Sequence, residues 1–557
     1  MDNHLSNLDA EGSPEGDEKG VLDEKSTGLI VVIMLALSLA VFLSALDITI
    51  ITTALPRIAE HFHSTAGYTW IGSAYILGSA ASTPLWGKLS DVFGRKPVLL
   101  VANVVFFIGS LIAGLSNSIG MLITARAIQG IGGAGLLTLV DIAISDLFSL
   151  RTRGAYLGVI GGVWAIACAL GPIVGGALTS KVSWRWCFYI NLPLDGLAFV
   201  IIFFFLHLDT PRVPVIEGLL AIDWLGTLFV VGGTLMFLLG LQYGGITHPW
   251  GSATVLCLVI FGILSTLLFI GVEWRVAKYP LLQLSIFRSR SNAGCLLFVF
   301  LHGIVSIASF YYLPLYFQAV RGASPLLSGV YVLPCALGTG LSAAATGAFI
   351  GATGKYLPPI YAGASLMLLG FSLFIDLGPH TGWAKLVIYQ IIAGVGVGPN
   401  FQAPLVALQS GVKQRDVATT TATYNFLRSL ANAISVIIGQ VVFQNQMKKK
   451  QGMLVATLGS TIASQLGGGD AAANTEVIDR LPQQQKNIAR SAVAESLRPM
   501  WIIYTCFAAA ALLSVLLIRK TTLSAELDVQ EIGLEAEKRH AAARQAEREA
   551  RKTVNPV

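Results

Sequence analysis

Charged residues are what this sequence has least of. Asp, Glu, Lys and Arg make up 12% of the 557 residues, whereas soluble globular proteins carry about 25%. Hydrophobic residues make up 54% of the chain, and the mean hydropathy is +0.69. So few charges could not cover the surface of a soluble protein of this length, which excludes that class. The net charge of +6 is spread over short loops and two tails, so no nucleic-acid partner is predicted.

Cysteine pairs and catalytic motifs are also lacking. The six cysteines form no CxxC pair, so they are interpreted as small buried hydrophobic residues rather than as metal ligands or a disulfide framework. There is no HExxH motif and no GxSxG motif. The segment 130–135 matches GxGxxG, but it lies inside a long apolar run rather than at a turn between a strand and a helix. The sequence therefore predicts neither an enzyme nor a bound metal.

A nucleotide site is not predicted either. Gly354 and Lys355 are followed by Tyr356 and not by the Ser or Thr of a phosphate-binding loop. We expect no cofactor and no ATP site. Any uphill work by this protein would then have to draw on an ion gradient, of which a proton gradient is the expected one.

Long apolar runs dominate what is present, and each is close to the roughly 20 residues that cross a bilayer as a helix. The fourteen runs lie at about 28–53, 68–86, 97–115, 119–147, 155–179, 187–206, 223–243, 253–273, 292–318, 326–350, 359–378, 385–411, 417–443 and 500–518. A transmembrane β-barrel would show short alternating segments instead. The predicted fold class is an all-α membrane protein with fourteen transmembrane helices.

The tails and loops predict the orientation. Residues 1–27 hold eight acidic residues and two lysines, the opposite of a signal peptide's basic start, so we expect a disordered acidic cytoplasmic tail. With both termini inside, the inner loops carry far more Lys and Arg than the short outer loops, as the positive-inside rule requires. The long outer loop at 445–499, with Lys448, Lys449 and Lys450, fits this orientation least well. Residues 519–557 are expected to form a charged cytoplasmic tail.

One loop carries a dense motif. Residues 87–96 contain Gly87, Asp91, Gly94, Arg95 and Lys96. The glycines permit a tight turn between two antiparallel spans, and the charges can cap helix ends and pair across a moving interface. A degenerate second copy occupies 347–356, where Gly351 replaces Asp91. Two related halves in a polytopic helical protein are typical of a transporter.

Here the sequence resembles the major facilitator superfamily, whose hallmark G-x-L-x-D-x-x-G-R-K is nearly complete at 87–96. Further segments are similar to motifs of its fourteen-span drug:proton antiporters. They are Leu46–Thr49 followed by Ala54–Pro56, Arg126 to Gly133, Gly171–Gly176, Trp184–Pro193, Tyr312–Gln318 and Phe426–Ser429. Fungal multidrug and secondary-metabolite efflux pumps look most similar. The resemblance implies two six-helix bundles, at 28–206 and 292–518, separated by two additional spans and a linker at 207–291.

Candidate site residues follow from the cost of charge in a membrane. Arg126, Gln129, Gly130 and Gly133 share one helix face. A guanidinium in hydrocarbon costs roughly 3 kcal/mol or more unless it faces a partner or a cavity, and Asp47 is the natural partner. The resemblance implies a role for Arg126 in proton coupling, and Asp47 is the predicted acidic partner in that role. The alternatives are a structural ion pair or a snorkelling side chain for Arg126 and an ordinary hydrogen-bonding residue for Asp47. Asp141 and Asp146, near the inner end of the fourth span, are interpreted as surface charges.

Two further groups of residues are predicted to gate the pathway and to line it. The candidates for conformational gating are Gly87, Asp91, Gly94, Arg95, Lys96, Gly171, Pro172, Gly175 and Gly176. The candidates for the substrate path are Gln129, Asn191, Tyr312, Gln318, Asn400, Gln402, Asn425 and Arg428. Mixed aromatic and amide groups suit amphipathic organic molecules, although interfacial aromatic belts explain some of these positions equally well.

The function predicted from the sequence is the export of a small amphipathic organic compound, such as a fungal metabolite, mycotoxin or drug, in exchange for protons by alternating access. We expect a monomer in the plasma membrane. One alternative is a vacuolar proton-coupled transporter of basic amino acids with the same fold. Another is a receptor that resembles a transporter but does not transport.

Overall fold

The computed structural model describes residues 27–543, except positions 63, 207, 209–210, 212, 246, 278, 468–474, 522, 525–532, 537 and 540. Its long helices are α1 Thr27–His61, α2 Thr65–Phe93, α3 Arg95–Gly114, α4 Ile119–Leu147, α5 Leu150–Lys181, α6 Trp186–Phe205, α7 Trp224–Tyr243, α8 Ala253–Arg275, α9 Arg290–Ala319, α10 Pro325–Thr353, α11 Leu357–Asp376, α12 Trp383–Gln409, α13 Gln414–Lys449 and α14 Gln483–Val515. The predicted tail at 1–27 lies outside the described residues but for its last position.

Thirteen of these helices are long and apolar enough to cross a membrane. The remaining one, α2, is 29 residues long, but the Gly, Ser and Thr residues between its apolar side chains dilute its hydropathy. No β-strand is found in the part of the chain that the structure describes. The predicted fold class, an all-α polytopic membrane protein, is confirmed.

The helices form two halves and a lateral pair. Helices α1–α6 pack together as the first half, and α9–α14 as the second. Helices α7 and α8 pack against each other, and α7 also contacts α2 and α13, one helix from each half. The contact is an apolar cluster of Leu77 and Ala80 on α2, Leu238 on α7, and Ala433 and Ile437 on α13. The additional pair therefore lies over one seam between the halves.

Each copy of the charged motif turns at a glycine with a positive φ. Gly94, between α2 and α3, has a φ of 90°, and Gly354, between α10 and α11, has a φ of 65°. Residues other than glycine rarely adopt a positive φ. The internal repeat seen in the sequence thus places a glycine with a positive φ between the second and third helices of each half.

The segment predicted to be the last outer loop differs from the sequence prediction. Helix α13 ends at Lys449 and α14 begins at Gln483, and the short helices Gln451–Leu458, Ser460–Gln465 and Thr475–Asp479 lie between them, so 445–499 is not one long loop. The first part of α14 is rich in polar residues. It is nevertheless amphipathic, and its buried face is formed by Ala489, Ala492, Val493 and Leu497.

Part of the C-terminal tail contacts the helical bundle. The amide of Gly533 donates to the carbonyl oxygen of Asp91 at 3.0 Å, and Leu534 and Ala536 are buried. The sequence predicts only a charged tail in this region and no contact with the bundle. The contact places this piece of the tail beside the charged motif, at the end of the bundle that carries residues 87–96, called the motif end below.

Candidate functional site between the two halves

A buried ion pair joins α1 to α4. The guanidinium of Arg126 on α4 pairs through Nη1 with Oδ2 of Asp47 on α1, and both side chains are at most 1% exposed. Oδ1 of Asp47 accepts hydrogen bonds from Nε2 of Gln129 at 3.1 Å and from Nδ2 of Asn191 at 2.9 Å. Both oxygens of the carboxylate therefore have hydrogen-bond donors.

The guanidinium of Arg126 has further partners. Its Nε donates to the carbonyl oxygen of Ile71 at 3.2 Å, and its Nη1 donates to Oε1 of Gln129 at 2.9 Å. The guanidinium carbon lies 4.6 Å from the centre of the Tyr75 ring and 5.9 Å from that of Phe188. These contacts offset the cost of placing a charge at this depth. The structure thus brings Asp47, Arg126, Gln129 and Asn191 together, while their role in proton coupling stays a prediction.

A second buried ion pair lies further along α4 and joins the two halves. Nη2 of Arg428 on α13 is 3.8 Å from Oδ2 of Asp141 on α4, and Nδ2 of Asn425 donates to the same oxygen at 3.0 Å. Arg126 and Asp141 are 15 residues apart, so at 1.5 Å per residue the two pairs are about 22 Å apart along α4. A separation of the two halves would break this pair, whereas the pair of Asp47 and Arg126 lies within the first half and would stay intact.

The interpretation of Asp141 and Asp146 as surface charges is wrong. Asp141 is 2% exposed, and Oδ2 of Asp146 accepts from Nε of Arg95 at 2.8 Å. Position near the end of a span suggested exposure to water, but each carboxylate is covered by a neighbouring helix. Asn425, which donates to Asp141, is 284 residues away in the sequence, and no local spacing points to it.

Aromatic rings and unpartnered polar atoms surround Arg428. Its guanidinium carbon is 5.8 Å from the ring centre of Phe401 and 5.7 Å from that of Tyr424, and Trp164 packs on Phe401 at 4.6 Å. Among the described residues, Nη1 of Arg428 and Oε1 of Gln402 are buried without a hydrogen-bond partner. A cation with an unused donor beside aromatic rings suits an amphipathic organic molecule that carries hydrogen-bond acceptors.

At the motif end, charged side chains hold the halves together. Nη1 of Arg95 donates to Asp91 Oδ1 at 2.6 Å and to Ser90 Oγ at 2.9 Å. The other oxygen of Asp91 accepts from Thr419 Oγ1 on α13 at 3.3 Å. A Cβ at Gly87 would collide with the side chain of Ala422, also on α13. The charged motif therefore does more than turn the chain, because it contacts the second half directly.

A second set of contacts at the motif end was not found from the sequence. Nη1 of Arg153 on α5 donates to Oε1 of Gln409 on α12 at 2.9 Å. The amide nitrogen of Gln409 donates to Oγ of Ser145 and to Oγ1 of Thr421, both at 2.8 Å. These residues resemble ordinary loop and helix-end residues, so no pattern singles them out. Together with the charged motif they close this end of the interface.

Glycines allow α5 to approach α10 and α1. A Cβ on Gly158 would be 2.7 Å from Cα of Gly347, and a Cβ on Gly329 would be 2.7 Å from Cβ of Pro172. Gly171 and Gly175 meet Thr49 and Ile50 of α1 too closely for any side chain. The predicted gating cluster at 171–176 is therefore packed between α1 and α10, so a movement of either helix would change its packing.

Enlarging Gly158 tests this packing. We expect Gly158→Leu to cost about 1–3 kcal/mol in the closed arrangement of the motif end, as overpacking does elsewhere, and to lower transport about tenfold. The measurement is the initial transport rate in liposomes at equal protein density. Gly196 on α6, where an added Cβ meets nothing within 4 Å, supplies the control Gly196→Leu. Equal rates for the two variants would contradict the close α5–α10 contact.

The remaining candidates have other surroundings. Tyr312 donates to the carbonyl oxygen of Val436 at 2.5 Å, and Gln318 donates to Ser328 Oγ at 2.9 Å, so both have partners within the second half. Nδ2 of Asn400 donates to the carbonyl oxygen of Gly396 at 3.2 Å. The ammonium group of Lys96 lies 5.7 Å from the ring centre of Phe203 rather than in the Arg95 network. The structure does not bring these four residues to either buried ion pair.

Two six-helix halves related by an internal repeat, with charged groups buried between them, are the architecture of a secondary transporter. The sequence profile of the Major Facilitator Superfamily matches residues 37–436, and the chain belongs to that superfamily. It is therefore a multi-pass membrane transporter and not an enzyme.

Relatives extend the likeness over nearly the whole chain. "Efflux pump dotC" of Dothistroma septosporum is 64% identical over 523 residues, which cover 94% of this chain and 90% of the relative. "MFS-type transporter ppz2" of Metarhizium majus is 53% identical, with coverages of 93% and 90%. Among solved structures, the proton:xylose symporter XylE superposes with a TM-score of 0.55 at 16% identity, over 88% of this chain and 95% of that one. At that identity the superposition shows the fold alone.

Proposed function

We propose that this protein is an efflux transporter that exports a small amphipathic organic compound in exchange for protons. The observation that carries the proposal is the fully buried pair of Asp47 and Arg126, supported by 64% identity to a protein named as an efflux pump. The proposed working unit is one chain, because both halves of the interface belong to it. The proton gradient supplies the free energy, and no cofactor is part of the proposal.

Proton binding to Asp47 is the proposed coupling step. A proton on the carboxylate would remove one charge of the pair and leave the guanidinium of Arg126 with Gln129, the carbonyl oxygen of Ile71 and the Tyr75 ring as partners. The free energy of the buried site then depends on whether Asp47 is protonated. A proton that binds one orientation of the halves more tightly shifts the population toward that orientation.

The substrate is proposed to bind beside Arg428. This position lies between the halves, and aromatic rings and unused polar atoms converge there. A bound organic molecule would compete with Asp141 for the guanidinium and so loosen the contact between α4 and α13. Substrate binding and opening of the motif end would thereby be linked through one ion pair.

The motif end is proposed to face the cytoplasm, in the plasma membrane. The basic residues of the short loops support this orientation through the positive-inside rule. In the structure this end is closed by the contacts of Asp91, Arg153 and Gln409. Loading from the cytoplasm would require these contacts to open, and release to the outside would require them to form again.

Transport in sealed liposomes tests the proposed function. Purified protein is reconstituted with a lumenal pH dye and an imposed pH gradient, and lipophilic cations, neutral polyketide-like compounds, lysine and arginine are added in turn. We expect an organic compound to trigger proton flux that protein-free liposomes lack. Flux with lysine or arginine alone would favour the vacuolar alternative. Binding of a compound without any proton flux would contradict proton exchange.

A further inference from the structure

A cavity of about 500 Å³ opens at the surface of the motif end. Its walls come from three separate segments: Arg151 at the start of α5, Lys355 and Tyr356 between α10 and α11, and Lys520 and Thr521 after α14. It is distinct from both buried ion pairs and from the proposed substrate path. Volumes of 300–1,000 Å³ are typical of sites for small ligands or headgroups.

The charge of the cavity is of one sign. Its lining contains three basic side chains and no carboxylate. No described residue forms an ion pair with Lys355 or Lys520. Arg151 uses Nε and Nη2 to bind the carbonyl oxygens of Gly351 and Ala352, at 3.2 and 2.9 Å. Among the described residues the two ammonium groups therefore have no carboxylate partner, which favours an anion as the ligand.

Hydrogen bonds hold the walls of the cavity in place. The hydroxyl of Tyr356, which is 2% exposed, donates to the carbonyl oxygen of Arg519 at 2.7 Å and accepts from the amide of Thr521 at 2.9 Å. The amide of Arg151 donates to the carbonyl oxygen of Ser524 at 3.1 Å. The segment that carries Lys520 is therefore fixed against α5 and the α10–α11 turn, so a ligand would meet a largely preformed site.

We propose that this cavity binds the phosphate headgroup of an anionic phospholipid. The cavity lies where α5, α10, α11 and α14 begin or end, which is the level of the headgroups for helices that cross a bilayer. Leu357, Pro358 and Leu523 add apolar walls that suit the start of an acyl chain better than a free phosphate compound. Basic pockets between transmembrane helices recognise headgroups of this kind.

The bound headgroup would also bridge the two halves. Arg151 belongs to the first half, whereas Lys355 and Lys520 belong to the second. An anion that contacts both halves binds the closed arrangement of the motif end more tightly than an open one, in which the bases move apart. It therefore shifts the population toward closure, and the lipid composition of the membrane sets how readily this end opens.

Lipid binding to the full chain tests the site. The probe is a phosphatidylinositol phosphate in phosphatidylcholine vesicles, compared with phosphatidylcholine alone, and retention of the lipid by purified protein is measured by native mass spectrometry. At the strength usual for a base at a membrane surface, Lys355→Ala and Lys520→Ala should each lower the affinity about fivefold, and the double variant about twenty-five-fold. Lys181→Ala, at the opposite end of α5 and also exposed, is the matched control and should bind as the unmodified chain does.

Two results would overturn the proposal. Unchanged lipid retention by the double variant would show that the cavity is not the site. If soluble inositol phosphate bound as tightly as the lipid, the ligand would be a free phosphate compound instead. A second readout is the distance between spin labels on α5 and α10 at the motif end, which the lipid should shift toward the shorter value. An unchanged distance distribution would refute the bridging of the halves.

Discussion

The Asp47→Asn variant should bind and exchange its substrate but no longer export it against a gradient. Asn keeps the shape of the side chain and can still accept from Arg126, but it cannot take up a proton at any working pH. Because the transport of each molecule would no longer be coupled to a proton, we expect pH-driven accumulation to fall at least about a hundredfold. A loss of about 3 kcal/mol, the free energy at stake when a buried ion pair is broken, corresponds to a change of that size. Substrate exchange without a pH gradient should continue.

Controls separate coupling from folding. Asp376 is a carboxylate with 62% side-chain exposure that pairs with Lys385, and Asp376→Asn should leave pH-driven export unchanged. Asp47→Glu, which restores a titratable group, should recover part of the export. Thermal unfolding of Asp47→Asn shows whether the fold survives the loss of the pair. Full pH-driven export by folded Asp47→Asn would exclude this residue from coupling.

Breaking the ion pair of Arg428 and Asp141 by substitution should also have a large effect, on both stability and export. Removing one partner of a buried ion pair costs about 3–5 kcal/mol, because the other charge is left without compensation. We therefore expect Arg428→Gln and Asp141→Asn each to lower the thermal stability of the closed protein and to reduce export more than tenfold. The double variant leaves no uncompensated charge, so it should recover stability, with a coupling energy of about 1–3 kcal/mol. It should not recover export, because the cation proposed to contact the substrate is gone.

The matched control is an ion pair within one half. Arg490 pairs with Asp479 at 3.0 Å, and the side chain of Asp479 is 47% exposed. The same pair of substitutions there, Arg490→Gln and Asp479→Asn, should change stability by less than about 1 kcal/mol and leave export intact. If the effects at Arg428 and Asp141 simply added in the double variant, the two side chains would not act as a pair.

The first buried ion pair could be predicted because each of its members is costly where it stands. Asp47 and Arg126 each interrupt a long apolar run, so each must have a partner, and few candidates exist. The glycine turns at Gly94 and Gly354 were visible for a related reason, since the repeat places them at the same point of each half. In these cases the resemblance to the family and the energetic cost of the residue at its own position indicate the same residues.

The second ion pair could not be predicted in the same way. Asp141 stands near a helix end, where a carboxylate is acceptable in water, and its burial depends on how α13 lies against α4. The bonds between Arg153 and Gln409 likewise exist only because the halves meet at this angle. The polar start of α14 was missed because hydropathy averages over both faces of a helix, whereas its burial concerns only one face. Contacts between halves are a property of the assembled bundle.

The position of α7 restricts how a compound dissolved in the bilayer could reach the interface. A bundle of two halves has two lateral seams, and at one of them α7 contacts both α2 and α13 while α8 presents Ile260, Leu264 and Leu267 outward. The opposite seam consists of α5 and α10, which meet through glycines without an intervening helix. Lateral access from a membrane leaflet would therefore be possible at one seam only. A label on α5 or α10 should capture fluorescent hydrophobic compounds from the bilayer, whereas the same label on α2 beneath α7 should not.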